Sequence, residues 1–137
     1  MSARRGVPRE CWTLLDANFN RTREALRVCE DLERFGVRSA AASSELRSIR
    51  HAVTAVLKQL PQKSLLNGRD IAADTGKAPH AHEKNRRDTA DVYFANLQRA
   101  KESLRVLEEV LKLVDGRLSD RIKKLRFTVY DYEKRKA

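Results

Sequence analysis

Little in this 137-residue chain stiffens or cross-links its backbone. Three prolines and five glycines are too few for a turn-rich β-sandwich, a collagenous repeat or a low-complexity segment, and they leave long stretches free to be helical. The two cysteines, Cys11 and Cys29, form no Cys-x-x-Cys pair, which disfavours a zinc knuckle or a redox couple and points to reduced, packed thiols. No apolar run is long enough to span a bilayer, and the basic N-terminus from Met1 to Glu10 lacks the apolar core of a secretory signal, so the expected location is cytoplasmic with no membrane partner. Equally absent are a P-loop, a Gly-x-Gly-x-x-Gly fingerprint and a Gly-x-Ser-x-Gly elbow. A nucleotide bound here must be held by other means.

What the chain has in quantity is charge set among apolar residues at helical spacing. A hydrophobic fraction of 41% beside a charged fraction of 35% fits helices with one solvated face, and the length suits one domain over 1–137 with a single core. The net charge of +10 predicts anionic partners. It is spread along the chain, with a local maximum over the last helix and its Lys134-Arg135-Lys136 tail. A nucleic-acid arm would concentrate it, so nucleic acid is the less favoured partner and a helical nucleic-acid-binding module is an alternative reading.

Periodicity predicts a first helix from about Trp12 to Phe35, ended by Gly36, with Leu14, Ala25, Val28 and Leu32 on one stripe and Leu15, Phe19 and Leu26 on the next. A second starts among Ser39 to Ser44, turns Leu46, Ile49, Val53, Val56 and Leu57 inward, and stops at Pro61. From there to about residue 87 no period is sustained, and so long a connection in a compact domain marks a functional loop. A third helix runs from about Asp88 to Val114, and a fourth from an N-cap at Ser119 through Ile122, Leu125, Val129 and Tyr132.

The halves repeat each other. Asn18, Arg21, Glu24, Leu26, Arg27, Val28 and Glu30 return 78 positions later as Asn96, Arg99, Glu102, Leu104, Arg105, Val106 and Glu108. A weaker echo, at an offset of 76, relates Ile49-Arg50 and Val53 to Leu125-Arg126 and Val129. The expected fold is therefore all-α: two helical hairpins from an internal duplication (about 12–60 and 88–137), packed as a four-helix arrangement with a long central loop (about 61–87).

Helical phasing places Asn18 and Arg21 on the stripe of Leu14, Ala25 and Val28, and Asn96 and Arg99 with Val92, Ser103 and Val106. Each half thus points an amide and a guanidinium inward, where an unpaired arginine is too costly to keep. Two readings follow: a network closed by Glu24 and Glu102 reaching across between repeats, or a central anion site walled by two arginines, whose forks match phosphate. Glu24–Arg27, Arg27–Asp31, Glu102–Arg105 and Arg105–Glu109 also have the spacing of ordinary surface pairs. In the loop, Gly68-Arg69-Asp70 and Asp74-Thr75-Gly76 combine two carboxylates, an arginine and glycines, either as plain turns or as a place for magnesium against phosphate oxygens. His80 and His82 read as solvated rather than as a metal pair.

Taken in order, Leu15 to Asp31, Ser48-Ile-Arg-His51, Gly68 to Gly76, Ala95 to Glu109, Leu125-Arg126 and Tyr130-Asp131 resemble the small all-helical hydroxymethylpyrimidine phosphate kinases of thiamin biosynthesis, which occur alone or fused to thiamin-phosphate synthase. Thr75 stands where that pattern has valine, and Cys29 where leucine is usual; neither is a charged position. The resemblance implies a standalone phosphotransferase that uses ATP and Mg2+ to convert the pyrimidine monophosphate to its diphosphate. It implies Arg21, Arg99 and Arg69 as catalytic groups; Asn18, Arg27, Asn96, Arg105 and Arg50 on the phosphates of nucleotide and substrate; Glu24 and Glu102 as positioning groups; and Asp70 and Asp74 on the metal. The family's fusions make thiamin-phosphate synthase a candidate partner and a non-catalytic role beside it a further alternative; a homodimer is left open.

Overall fold

The computed structural model describes residues 6–78 and 85–137; the His80 and His82 pair lies outside them. The elements are α1 (Arg9–Asp31), continued by a π-helical turn (Leu32–Val37), α2 (Ala40–Leu57), a short α3 (Gln62–Asn67), α4 (Thr89–Leu111) and α5 (Gly116–Lys136). The fold is all-α, and the described residues contain no strand. α1 packs chiefly along α4 and α2, α5 packs on α4, and α2 and α5 touch more lightly, so the two hairpins lie side by side with α1 and α4 at their seam.

That seam is antiparallel, because Thr22 meets Ser103 while Cys29, further along α1, meets the carbonyl of Tyr93, further back on α4. At the crossing the Thr22 and Ser103 hydroxyls are 2.6 Å apart, so one donates to the other, and the accepting hydroxyl donates to a carbonyl one turn back in its own helix. In the repeat register Thr22 corresponds to Ala100 and Ala25 to Ser103. All four are small and buried, which lets the backbones approach, and the pseudo-two-fold axis passes between them. Large apolar side chains fill the space either side, with Leu15, Phe19, Leu26, Leu46, Leu97, Leu104, Leu107 and Ile122 almost wholly buried.

Each hairpin is stapled by the same buried ion pair. Arg50 on α2 reaches Glu30 on α1 at 2.9 Å, and Arg126 on α5 reaches Glu108 on α4 at 3.2 Å. Arg50, expected on the phosphates, bonds Glu30 through Nε and Nη2 in a side chain only 15% exposed. The repeated Glu and the echoed Arg serve the fold.

Other differences are local. Ser39 caps α2 by accepting from the amide of Ala42, within the predicted range, and Asp88 caps α4 through Asp91. α5 begins earlier than predicted because Asp115 accepts from the Arg117 amide; the Ser119 hydroxyl instead donates to the Glu108 carbonyl at 2.7 Å. Burial disfavours the charged form of the Asp115 carboxyl, but the backbone amides at this helix start and the Arg117 guanidinium outweigh it and hold that carboxyl below its ordinary range. Gly36 does not end the first helix, which widens into the π turn and stops at Arg38, in the left-handed region at φ 64°. The predicted loop is partly helical, since Pro61 precedes α3 and Leu65 packs inward. Both thiols are free and buried, and burial, then the nearby Glu33, pushes Cys29 up to about 12. Among the described residues no helix is long and apolar enough to cross a membrane.

Candidate phosphate-binding cleft

The stripe of Leu14, Asn18, Arg21, Ala25 and Val28 is only partly a core face: Asn18 and Ala25 are buried, while Leu14, Arg21 and Val28 are exposed. α1 is covered by α2 on one side and α4 on another, so its buried arc centres on Leu15, Phe19, Leu26 and Cys29, while Leu14 is 42% and Val28 36% exposed. The open side forms the wall of a cleft. Asn18 is buried at its base, donating to the Leu14 carbonyl at 2.8 Å and turning its Oδ1 toward Arg21 Nη1 at 3.5 Å. The Arg21 and Arg99 guanidiniums are exposed rather than interior, which corrects the inward placement predicted for them.

Two hollows share Asn18 and Arg21 in their walls. One, of about 510 Å³, lies between α1 and the loop and is lined by Thr13, Asn18, Arg21, Gly68, Arg69, Asp70, Asp74 and neighbours. The other, of about 500 Å³, lies over the α1–α4 seam and is lined by Asn18, Arg21, Arg99, Glu102, Ser103 and Val106. Arg21 and Arg99, equivalent in the repeat, thus wall one hollow near the pseudo-two-fold axis. Arg99 has no ion-pair or hydrogen-bond partner for its guanidinium among the described residues, and Arg21 has only the long bond to Asn18. Neither guanidinium is ion-paired among the described residues, although Glu102 lines the same hollow, and an oxyanion bound there would be attracted by both.

The loop is clasped to α1. Arg69 makes a two-pronged pair with Asp16, both bonds 2.7 Å, and the carboxylate raises the guanidinium's affinity for its proton further. Thr13 donates its hydroxyl to the Gly68 carbonyl at 2.7 Å, and Arg9 reaches the Asn67 carbonyl at 3.1 Å. Gly68 is required by space: a Cβ there would sit 2.9 Å from the Thr13 amide nitrogen. Asp70 and Asp74 each use Oδ1 to accept a backbone amide, from Ala73 at 3.2 Å and from Gly76 at 2.8 Å, so both build turns. Neither has an ion-pair partner among the described residues, and both line the hollow. No three metal-ligating side chains gather among the described residues. The donor set suits magnesium, which takes one or two carboxylates and completes its shell from phosphate and water.

The other predicted residues fall elsewhere. Arg27 faces Asp31 at 3.3 Å, and Arg105 bridges Glu108 at 2.9 Å and Glu109 at 3.5 Å, so these are surface pairs, Arg105 also backing the buried Glu108. Asn96 repeats the Asn18 bond, donating to the Val92 carbonyl at 2.8 Å, but lines neither hollow. Glu24 and Glu102 do not reach across between the repeats: Glu24 is exposed, and Glu102 accepts from Gln98 one turn back while its side chain edges the seam hollow. Sequence reasoning missed Asp16, Thr13 and Arg9. The signal for Asp16 was a break in the repeat, because its counterpart is Phe94.

The ThiD2 family model matches residues 13–135. Similar proteins include the thiamine-phosphate synthases of Thermosynechococcus vestitus, 40% identical over 88% of this chain and 33% of that protein, and of Synechocystis, 40% identical over 88% and 34%. That of Nostoc punctiforme is 34% identical over 96% of this chain and 37% of its own length. The chain therefore spans about a third of the length of the curated relatives it matches. No solved structure matches it.

Proposed function

The chain belongs to the ThiD2 family, and on that premise we propose that it transfers the γ-phosphoryl group of ATP to hydroxymethylpyrimidine phosphate, forming the diphosphate used in thiamin biosynthesis. The observation that carries this reading is the meeting of Arg21 and Arg99, one from each repeat, in a hollow that shares Asn18 and Arg21 with the one lined by the clasped loop that bears Asp70 and Asp74.

A phosphate monoester has its second pKa near 6, so at neutral pH the acceptor is already an anionic nucleophile and needs no general base. The work left to the protein is to neutralise charge and to hold the two oxygens in line. Arg21 and Arg99 supply cationic forks on either side of the transferred group. Asn18, fixed by its bond to Leu14, orients Arg21. Arg69, with Nε and Nη2 paired to Asp16, fixes the loop beside the cleft and keeps only Nη1 for a phosphate oxygen. Asp70 and Asp74 would hold magnesium, which when bound supplies further charge neutralisation at the phosphates.

The test is incubation of the purified protein with ATP, magnesium chloride and the pyrimidine monophosphate, following ADP and the diphosphate by chromatography. Stoichiometric formation of both supports the proposal; neither product, under conditions where an authentic kinase forms them, overturns it. The synthase name of the relatives favours one second reading, a non-catalytic partner of a synthase, which predicts no diphosphate from this chain alone and a faster synthase reaction in its presence.

A further inference from the structure

The duplication carries its own control at the two hairpin turns, each of which borders a hollow. The first, of about 380 Å³, lies between the end of α1 and the first turns of α2 and is walled by Glu30, Arg34, Arg38, Ser43, Ser44 and Arg47. The second takes the matching place between α4 and α5, with Lys112 for Arg34, Ser119 for Ser43 and Asp120 for Ser44. Asp115, the counterpart of the N-cap Ser39, lines it too. At about 1.5 Å of rise per residue, Glu30 lies roughly 18 Å along α1 from Asn18, and no residue of the first hollow lines the phosphate cleft.

The two hollows differ in charge. In the second the cations are answered: Lys112 Nζ lies 3.0 Å from Glu109, Arg117 lies 3.6 Å from Asp115, and Asp120 adds a further negative charge. In the first, serines stand where both aspartates would be, and the counterpart of Glu109, Asp31, is taken by Arg27. Arg34, Arg38 and Arg47 have no ion-pair or hydrogen-bond partner among the described residues, although Arg34 makes a cation–π contact with its neighbour Phe35 at 4.8 Å. Glu30 is the carboxylate in this wall, and Arg50 already answers it at 2.9 Å. Neither repeat offset puts a cation opposite Arg38. The offset falls from 78 on the first helix of each hairpin to 76 on the second, so the first turn is two residues longer, and Arg38 sits in it at φ 64°.

We propose that the hollow of the first hairpin is a second anion site, for a compact, multiply charged oxyanion that carries no ring, held by Arg34, Arg38 and Arg47. Guanidinium forks match phosphate and carboxylate oxygens alike, so inorganic diphosphate and a tricarboxylate share the required chemistry. A ring is excluded by the walls: Ala40 is the only apolar residue among those that line the hollow, so no face is offered for a base or a pyrimidine to stack on, and the volume is at the lower end for a small-molecule site. The start of α2 is already capped by Ser39, which accepts from the Ala42 amide, so the arginines rather than the helix end make the site. The proposal stands independently of the kinase reading, because the two sites share no residue.

The test is an amide-resolved NMR titration of the whole chain with inorganic diphosphate, with citrate and with orthophosphate, at constant ionic strength. Saturable shifts at Arg38, Ser43, Ser44 and Arg47 are expected for diphosphate, citrate or both, with affinity at least about 10-fold above that of orthophosphate. The better binder of the two identifies the source of the anion. Arg47→Gln and Arg38→Gly should each weaken binding roughly 10-fold or more. Arg38→Gly also relieves a left-handed backbone position, so its thermal unfolding midpoint should not fall. Ser44→Asp, which gives the first repeat the residue of the second, should abolish binding, and a carboxylate in the first turns of a helix is tolerated by the fold. Orthophosphate binding as tightly as both larger anions, shifts confined to Asn18, Arg21 and Arg99, no saturable shift, or unchanged affinity in folded Arg38→Gly or Arg47→Gln protein would each overturn the proposal.

Discussion

Arg99 and Arg50 both belong to the repeated polar pattern, yet they should fail in opposite ways when replaced by methionine. Arg99 is exposed and its guanidinium touches no carboxylate among the described residues, so Arg99→Met should change the unfolding free energy by no more than about 0.5 kcal/mol. On the proposed reading it donates charge-assisted hydrogen bonds to the transferring phosphoryl group, each worth about 1.5–3 kcal/mol, so turnover should fall roughly 10- to 150-fold. Arg50 is 15% exposed against a Glu30 side chain 6% exposed. Arg50→Met strands that buried carboxylate, at about 3–5 kcal/mol, a large part of the roughly 5–15 kcal/mol that holds a domain together. Replacing the whole pair, as Glu30→Leu with Arg50→Met, should recover much of the loss, because apolar side chains of similar volume leave nothing unpaired. Urea denaturation followed by circular dichroism, beside steady-state ADP release at a temperature where all variants are folded, separates the two effects. Comparable destabilisation in both single variants, or full turnover in Arg99→Met, would refute the assignment of one arginine to the cleft and the other to the hairpin.

The clasp gives a second expectation: Gly68→Ala forces a Cβ within 2.9 Å of the Thr13 amide nitrogen, costs about 1–3 kcal/mol, and should raise KM for ATP while speeding proteolysis between 69 and 78. Limited trypsin digestion with and without nucleotide reads both, and an unchanged cleavage rate would contradict the close packing. Asp74→Asn should leave stability within about 0.5 kcal/mol, since the amide oxygen can still accept from Gly76, and should raise the magnesium concentration for half-maximal rate; an unaltered magnesium titration would remove Asp74 from the metal. Burial holds Cys29 protonated up to about 12, against an ordinary 9.0, and burial likewise raises Tyr93 and Tyr132 above their ordinary 10.0. The folded state therefore keeps protons that the unfolded chain releases: stability is fully present below pH 9 and is lost above it, through Cys29 from about pH 9 toward 12 and through the tyrosine pair only from about pH 10, by up to about 1.4 kcal/mol per pH unit for each titrating group. Urea midpoints measured across that range check the slope, and a flat profile would contradict the burial.

Hairpin number, order and pairing were legible because the apolar period and its recurrence both depend on residues that the fold buries. The site was legible in a different way. Phasing alone could not tell a core face from a cleft face: Leu14, Asn18 and Arg21 follow the same helical period whether protein or solvent covers them, and the arrangement of α2 and α4 around α1 decides which. Arg50 and Arg99 look equally available in sequence; only the nearness of Glu30 to one of them distinguishes their roles. The clasp was hidden because it joins residues more than fifty positions apart, although Phe94 in place of a second aspartate was a visible break of symmetry. The start of α5 was misplaced for a smaller reason, two competent capping side chains, Asp115 and Ser119, within one turn of each other.

The close crossing of Thr22 and Ser103 has a consequence for the chemistry as well as for the packing. In-line phosphoryl transfer has near-mirror symmetry: a planar group passes between two oxygens that exchange the roles of attacker and leaving group when the reaction runs backward. On the proposed kinase reading, a scaffold folded about a local dyad would offer each of those oxygens an equivalent arginine, Arg21 or Arg99, one from each repeat. The single loop then breaks the tie, since only one face carries Asp16 to receive it. On that reading the donor and acceptor ends would be distinguished by the linker, on a framework that by itself would treat forward and reverse transfer alike.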